Sequence, residues 1–250
     1  MQQPEPASLE DGEEIVRQTT LEHHGAWVSS LDRLLNGYLL VFKERGAFTR
    51  TAGRDREYVW FLLSAKAFNS LRWSVHLLKT GYYHQALTLI RSVWEDWLVS
   101  VDSENHPCTV EAVLSKGKRI ASFRTMADRL PGPLMQEWQD QPNGQEGSYG
   151  VMSTFAHPRW RGLRMLIEPD SRLLRLGPQY EQTLFLITFI YLAEVAVRML
   201  GFSVRACGVA DATLHATLAP VVEEVEASSK QALAEAERRL STLEAGEGCA

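Results

Sequence analysis

The stretch "LFLITFIYLA", residues 184–193, is the longest apolar run in the sequence. Glu194 ends the run, and Arg198 follows one helical turn later. A membrane-spanning helix needs about 20 consecutive apolar residues, and this run is much shorter. We therefore expect a helix that Pro178 opens and that continues through Leu200, buried on most sides within a helical bundle.

Helical periodicity dominates the rest of the chain. Apolar residues recur at helical spacing in further segments, each predicted to form a helix: residues 27–42, 55–80, 82–101, 109–130 and 220–243. Gly81 is expected to interrupt the chain between helices, and Pro220 is expected in the first turn of the last helix. Two segments are predicted to interrupt helices: "SENHPC" (103–108) and "GFSVRACG" (201–208).

The fold class that follows is all-α, a single helical bundle of about six to seven helices. Residues 163–176 are the exception, because two short apolar runs there flank "EPDS", which favours a turn. A small irregular or hairpin insertion is expected near 163–176. The acidic residues 1–14 and the C-terminal residues 244–250 are predicted to be disordered tails, which leaves residues 15–243 as a single all-helical domain.

The composition is that of an ordinary globular protein, with 45% hydrophobic and 23% charged residues among 250. The three cysteines, Cys108, Cys207 and Cys249, are widely spaced and form no C-x-x-C pair. Neither a disulfide framework nor a zinc site is therefore expected. The N-terminus lacks the basic-then-apolar order of a signal peptide, so a cytoplasmic protein with no membrane segment is expected.

Charge is unevenly distributed along the chain. The net charge of −5 argues against a broad nucleic-acid-binding surface. Residues 116–175, however, hold ten Lys and Arg against six Asp and Glu, an excess of four positive charges. This basic region is a candidate site for RNA or another anionic ligand. The alternative is that its arginines only solvate loops and helix faces.

The segment "SYGVMSTFAHPRW", residues 148–160, places Tyr149, Ser153 and His157 at four-residue intervals on one side of a short helix. Pro158 disfavours helical conformation at the preceding residue, so His157 is expected to end that helix. The negative end of the helix dipole there favours the protonated imidazole. Such a group can act as a general acid or bind an anion.

A second group of polar residues shares one side of the predicted third helix: His84, Thr88, Arg91, Glu95 and Asp102. We expect Glu95 to accept a hydrogen bond from Arg91 or from His157. The candidate catalytic residues are thus His157, Arg91, Glu95, Ser153 and Tyr149. Structural interpretations stay open for them: Arg91 and Glu95 as a solvated helix face, Ser153 bonded to its own helical turn, and His157 as a C-terminal cap.

Motifs for other chemistries are missing from the sequence. There is no H-E-x-x-H, and no acid lies three residues before any histidine, so zinc-protease and di-iron sites are not expected. The sequence also lacks a P-loop, a G-x-G-x-x-G and a G-x-S-x-G. We therefore predict neither a metal nor a cofactor.

Three segments in order carry a family resemblance: "LLKTGYYHQALTLIRSVWEDWLV" (77–99), "YGVMSTFAHP" (149–158) and "GPQYEQTLFLITFIYLA" (177–193). Over about residues 58–200 the chain resembles a group of uncharacterised bacterial all-helical proteins. In that group an "A-x-x-L-x-R-S-x-x-E" helix precedes an "S-x-x-x-H-P" segment, and a mostly apolar helix follows. The resemblance implies a helical bundle and no particular activity.

A fainter similarity is to the HEPN helical bundles, many of which are RNases of toxin–antitoxin and phage-defence systems. Their signature is an Arg followed, after four to six residues, by a His, but those positions before His157 hold Gly150, Val151 and Met152. We expect a non-catalytic interaction or regulatory module that forms a homodimer or binds a protein partner. The alternative is an HEPN-like metal-independent RNase or a protein that binds an anionic ligand or nucleotide.

Overall fold

All regular secondary structure in the described residues is α-helical, which confirms the predicted fold class. The computed structural model describes residues 8–46, 49–116, 118–130, 150–152, 154, 177–208 and 212–247. Seven helices lie within these ranges: α1 (Leu9–Arg45), α2 (Asp55–Lys79), α3 (Tyr83–Asn105), α4 (Pro107–Leu114), α5 (Phe123–Ala127), α6 (Gln182–Ala206) and α7 (Ala212–Glu247). Residues 150–152 and 154 are helical as well. The insertion expected near 163–176 lies outside the described residues.

The central helix of the bundle is α6, which contacts α1, α2, α3 and α7. Phe185, Phe189 and Leu192 on it are fully buried, as predicted for the apolar run. By length and composition α6 alone among the described helices could cross a membrane, and 61% of its most apolar window is buried inside the bundle. The surrounding helices therefore account for its apolar composition.

Both ends of α6 lie further along the chain than predicted. Glu181 is its N-cap and accepts a hydrogen bond from the Thr183 backbone N–H at 3.1 Å, so Pro178 precedes the helix. The break predicted at Gly201 is wrong, because α6 continues to Ala206. Phe202 is fully buried there, and tertiary packing of this kind stabilises the additional turn.

The first helix starts at Leu9, so residues 9–14 are helical instead of forming part of a disordered tail. The Ser8 hydroxyl caps it by accepting a hydrogen bond from the Asp11 backbone N–H at 3.1 Å. Acidic side chains in this first turn are stabilised by the positive end of the helix dipole. Val16, one turn further on, is buried and anchors the acidic segment to the bundle.

A kink in α1 occurs at His24, whose backbone is not helical (φ −135°, ψ 21°). The imidazole is buried and stacks on Phe185, with 4.1 Å between the ring centroids. Its Nε2 atom lies 3.0 Å from the Tyr180 hydroxyl. Burial, the main cause, lowers the pKa of His24 to about 4. The kinked residue is therefore a neutral imidazole that docks α1 against the beginning of α6.

Gly81 separates α2 from α3, as predicted, and has a φ of +80°. A Cβ atom at this position would lie 2.3 Å from the carbonyl oxygen of Gln179, so glycine is required. The third helix then runs to Asn105, into the predicted loop 103–108, and Pro107 begins α4. Proline loses no hydrogen bond there, because the first N–H groups of a helix have no partner within it.

The single helix predicted over 109–130 is wrong, since that region contains the end of α4 and the short α5. The described residues between the two helices are not helical. Ser122 begins α5 as its N-cap and accepts a hydrogen bond from the Thr125 backbone N–H at 3.1 Å. The intervening segment is rich in Lys and Arg and lacks the apolar periodicity that would pack a longer helix against the core.

The last helix, α7, begins at Ala212 and continues to Glu247, into the predicted C-terminal tail. Pro220 therefore lies inside the helix, and its predicted place in the first turn is wrong. Leu214 and Leu218, in the turns before the proline, are each 6% exposed. Their packing offsets the hydrogen bond that a proline removes from a helix interior.

Candidate functional site

Arg91 and Glu95 lie together on α3, as the sequence predicts. The Nη2 atom of Arg91 is 3.1 Å from Oε1 of Glu95, and the two side chains are 11% and 22% exposed. Most exposed ion pairs contribute little to stability, whereas pairs shielded from solvent are costly to break. The shielding therefore argues against the interpretation of these residues as a solvated helix face.

The remaining candidate residues lie outside the described residues: Tyr149, Ser153 and His157. Their expected proximity to Arg91 and Glu95 stays a prediction. Within the same segment Met152 is described, and it is fully buried in the hydrophobic core. This part of the chain thus packs against the bundle at Met152.

Arg91→Ala should lower the free energy of unfolding by about 2 kcal/mol, because it leaves the shielded Glu95 carboxylate without its cation. Lys230→Ala, at an exposed position of α7, is the control and should change stability by less than about 0.5 kcal/mol. Urea denaturation of both variants measures the difference. Equal midpoints would mean that the pair is an ordinary surface pair and that the site assignment is wrong.

Asp102, predicted to share the polar side of α3, has a structural role. Its side chain is 1% exposed, and the His106 Nδ1 atom lies 3.1 Å from the carboxylate. The carboxylate also accepts hydrogen bonds from Thr109 Oγ1 at 2.6 Å and from Arg129 Nη1 at 3.0 Å. Asp102 therefore holds α4 and the residues that follow α5 against α3.

A cavity of about 700 Å³ lies among α2, α3, α4 and the beginning of α5. We call it the α2–α5 cavity. Its volume falls within the range of small-molecule sites, about 300–1,000 Å³. Six of the eleven described lining residues are apolar: Leu63, Val99, Val113, Ile120, Ala121 and Phe123. The predicted site residue Glu95 also lines it, so part of the predicted site belongs to this cavity.

A charged pair, Asp96 and Lys66, lies on the wall of the cavity. Lys66 Nζ is 2.7 Å from Asp96 Oδ1, and the two side chains are 57% and 8% exposed, respectively. The Oδ2 atom of Asp96 is buried and has no hydrogen-bond partner in the described part of the chain. Burial raises the pKa of Asp96, and the hydrogen bond from Lys66 opposes that rise. The buried carboxylate thus holds an otherwise exposed ammonium group at the cavity.

A further cation lies on the α5 side of the cavity. Arg124 lines the cavity and is exposed. The two acids of the wall, Glu95 and Asp96, are each paired with a cation of the protein. With Arg91 counted as the partner of Glu95, three cations and two acids meet at the wall, an excess of one positive charge. Of these cations, Arg124 belongs to the region that the sequence identifies as basic.

Asp96 and Lys66 are functional candidates that the sequence analysis missed. Asp96 belongs to a line of small polar residues on α3, with Ser92 and Ser100 one turn to either side, and Lys66 contacts Ser92 and Asp96 from α2. In the sequence, this line of polar residues is visible only as the four-residue spacing of Ser92, Asp96 and Ser100. The lysine is separated from Asp96 by thirty residues, so no local pattern identifies the pair.

Neither a known family, nor a curated protein, nor a solved structure matches this chain. In the described part of the chain, no group of three or more His, Cys, Asp or Glu residues could hold a metal ion.

Proposed function

We propose that this protein is a non-catalytic helical module that binds a small anionic ligand in the α2–α5 cavity. One observation carries the proposal: two exposed cations, Lys66 and Arg124, border an apolar wall, and the acid Glu95 on that wall is paired with Arg91. Lys66 and Arg124 both line the cavity and can interact with a ligand anion. Electrostatic complementarity of this kind selects the sign of the ligand's charge.

Two contributions favour such binding. Apolar ligand surface that is buried against the wall contributes about 25 cal/mol per Å². A hydrogen bond to a charged group contributes about 1.5–3 kcal/mol. For a ligand of a dozen or so heavy atoms, their sum supports affinities in the micromolar to millimolar range.

A bound ligand would also connect two helices. Lys66 lies on α2, whereas Arg124 lies on α5, which packs on α3. A ligand that contacts both side chains adds a link between α2 and α5. Because a ligand that binds the folded state stabilises it, ligand concentration would control the stability of this end of the bundle. Such control is what a regulatory module requires.

Thermal unfolding of the full chain, with added organic anions, amines or neutral alcohols of similar size, tests the proposal. Anions should raise Tm in a dose-dependent manner. Arg124→Glu should abolish the rise, whereas Arg72→Glu, a charge reversal at an exposed position of α2, should retain it. The proposal is contradicted if no anion raises Tm, or if Arg124→Glu responds like the unmodified protein.

A nuclease assay separates this proposal from the HEPN-like alternative. The protein and its His157→Ala variant are incubated with single-stranded RNA in the presence of a metal chelator. We expect no cleavage by either protein. Cleavage that disappears in His157→Ala would overturn the non-catalytic proposal and support the metal-independent RNase.

A further inference from the structure

We propose that the ligand of the α2–α5 cavity is an amphipathic monocarboxylate, whose head group binds Lys66 and whose apolar body lies against the cavity wall. This inference rests on the proposed function and specifies its ligand. It follows from three features of the cavity: the geometry of the Lys66 ammonium, the acids beside it and the apolar wall.

Lys66 is held in position but is not fully engaged. Its ammonium donates to Asp96 Oδ1 at 2.7 Å and lies 3.5 Å from Ser92 Oγ. An ammonium has three N–H donors, so at least one remains for a ligand. Asp96 is almost completely buried and anchors the ammonium, whereas the Lys66 side chain is 57% exposed and lines the cavity.

The balance of cations and acids at the wall favours a single negative charge on the ligand. Asp96 and Glu95 lie on the same wall as Lys66. A monocarboxylate can bind the ammonium on the side away from Asp96. A doubly charged phosphate doubles both the attraction to the cations and the repulsion from the carboxylates, since the Coulomb energy is proportional to the product of the charges. It would, however, leave an excess negative charge beside an apolar wall, where the desolvation of charge is costly.

The apolar wall requires more than a small inorganic anion. Val99 is 5% exposed and forms part of the interior of the cavity, whereas Ile120 is 41% exposed and lies where the cavity meets solvent. Phe123 provides an aromatic side chain on the opposite helix, α5. A ligand with an aromatic or short aliphatic body would cover these surfaces and remove them from water.

Isothermal titration calorimetry of the full chain with 4-phenylbutanoate tests the inference. Three comparison ligands share its size or the sign of its charge: 4-phenylbutylamine, 4-phenylbutanol and inorganic phosphate. We expect binding of 4-phenylbutanoate only. Lys66→Met should weaken it at least about tenfold, because one charge-assisted hydrogen bond is lost. Lys43→Met, at an exposed position of α1, should leave the affinity unchanged.

Lys66→Met leaves the Asp96 carboxylate without its cation, so this variant can be less stable. The double variant Lys66→Met/Asp96→Asn removes both charges and is checked for folding by circular dichroism. It should fold and should bind 4-phenylbutanoate as weakly as Lys66→Met. If the folded double variant binds 4-phenylbutanoate with unchanged affinity, Lys66 does not bind the carboxylate head group.

The outcomes distinguish this inference from the proposed function. If phosphate binds more tightly than 4-phenylbutanoate and Arg124→Glu prevents it, the ligand class is wrong while the anion site stands. If 4-phenylbutylamine binds more tightly than 4-phenylbutanoate, or if no anion binds, both this inference and the proposed function would be overturned.

Discussion

Asp102→Ala should lower the free energy of unfolding by about 3 kcal/mol. The carboxylate is 1% exposed and contacts Thr109, Arg129 and His106. Its removal leaves the buried Thr109 hydroxyl without its acceptor, and a buried polar group without a partner costs about 1–3 kcal/mol. The side chains of Arg129 and His106 are 36% and 38% exposed, so water can hydrate them, which keeps the effect below that of a fully buried network.

Glu111→Ala is the matched control for Asp102→Ala. Glu111 lies on α4 and pairs with Lys118, and the two side chains are 62% and 58% exposed. Loss of an exposed pair should change stability by less than about 1 kcal/mol. Urea denaturation gives the free energy of unfolding of both variants. A difference of less than about 0.5 kcal/mol between the variants would show that Asp102 does not hold α4 and α5 in place.

Acidification should destabilise the protein through His24 by up to about 3 kcal/mol. The pKa of His24 is lowered from 6.5 to about 4, chiefly by burial. Between these values the unfolded chain binds a proton that the folded protein excludes. The stabilising contribution of the neutral imidazole is therefore complete above about pH 6.5 and is lost as the pH falls from there to about 4.

His24→Phe isolates this effect, because phenylalanine keeps a ring against Phe185 but cannot be protonated. The variant loses the hydrogen bond to Tyr180, so it should be about 1 kcal/mol less stable at neutral pH. Its stability should then change less than that of the unmodified protein on acidification. His76→Phe, at an exposed position of α2, is the control. Urea denaturation at several pH values measures the free energy of unfolding of each variant. If it depends on pH equally in His24→Phe and His76→Phe, His24 is not the cause of the acid destabilisation.

The fold was predictable where local chemistry and packing agree. The apolar run of α6 and the turn at Gly81 are visible in the sequence, because burial on most sides demands apolar residues and a positive φ demands glycine. The positions of Pro220 and Gly201 inside helices were not predictable. Both residues disfavour helix locally, and the tertiary contacts of their neighbours override that preference.

The candidate site was predictable only in part. Arg91 and Glu95 are one turn apart on a single helix, so helical periodicity alone brings them together. Lys66 and Asp96 are brought together by the packing of α2 against α3, which no local pattern specifies. The basic character of the region around Arg124 was visible from composition, whereas the apolar cavity beside it is a property of the assembled bundle.

A crystal structure of the full chain with 4-phenylbutanoate would show whether the α2–α5 cavity is the binding site. We expect the phenyl ring inside the α2–α5 cavity, near Val99 and Phe123. We also expect a carboxylate oxygen within about 3.2 Å of Lys66 Nζ, the upper limit of an ordinary hydrogen bond. A ligand bound elsewhere on the protein, with the α2–α5 cavity filled by the protein's own side chains, would contradict this binding mode.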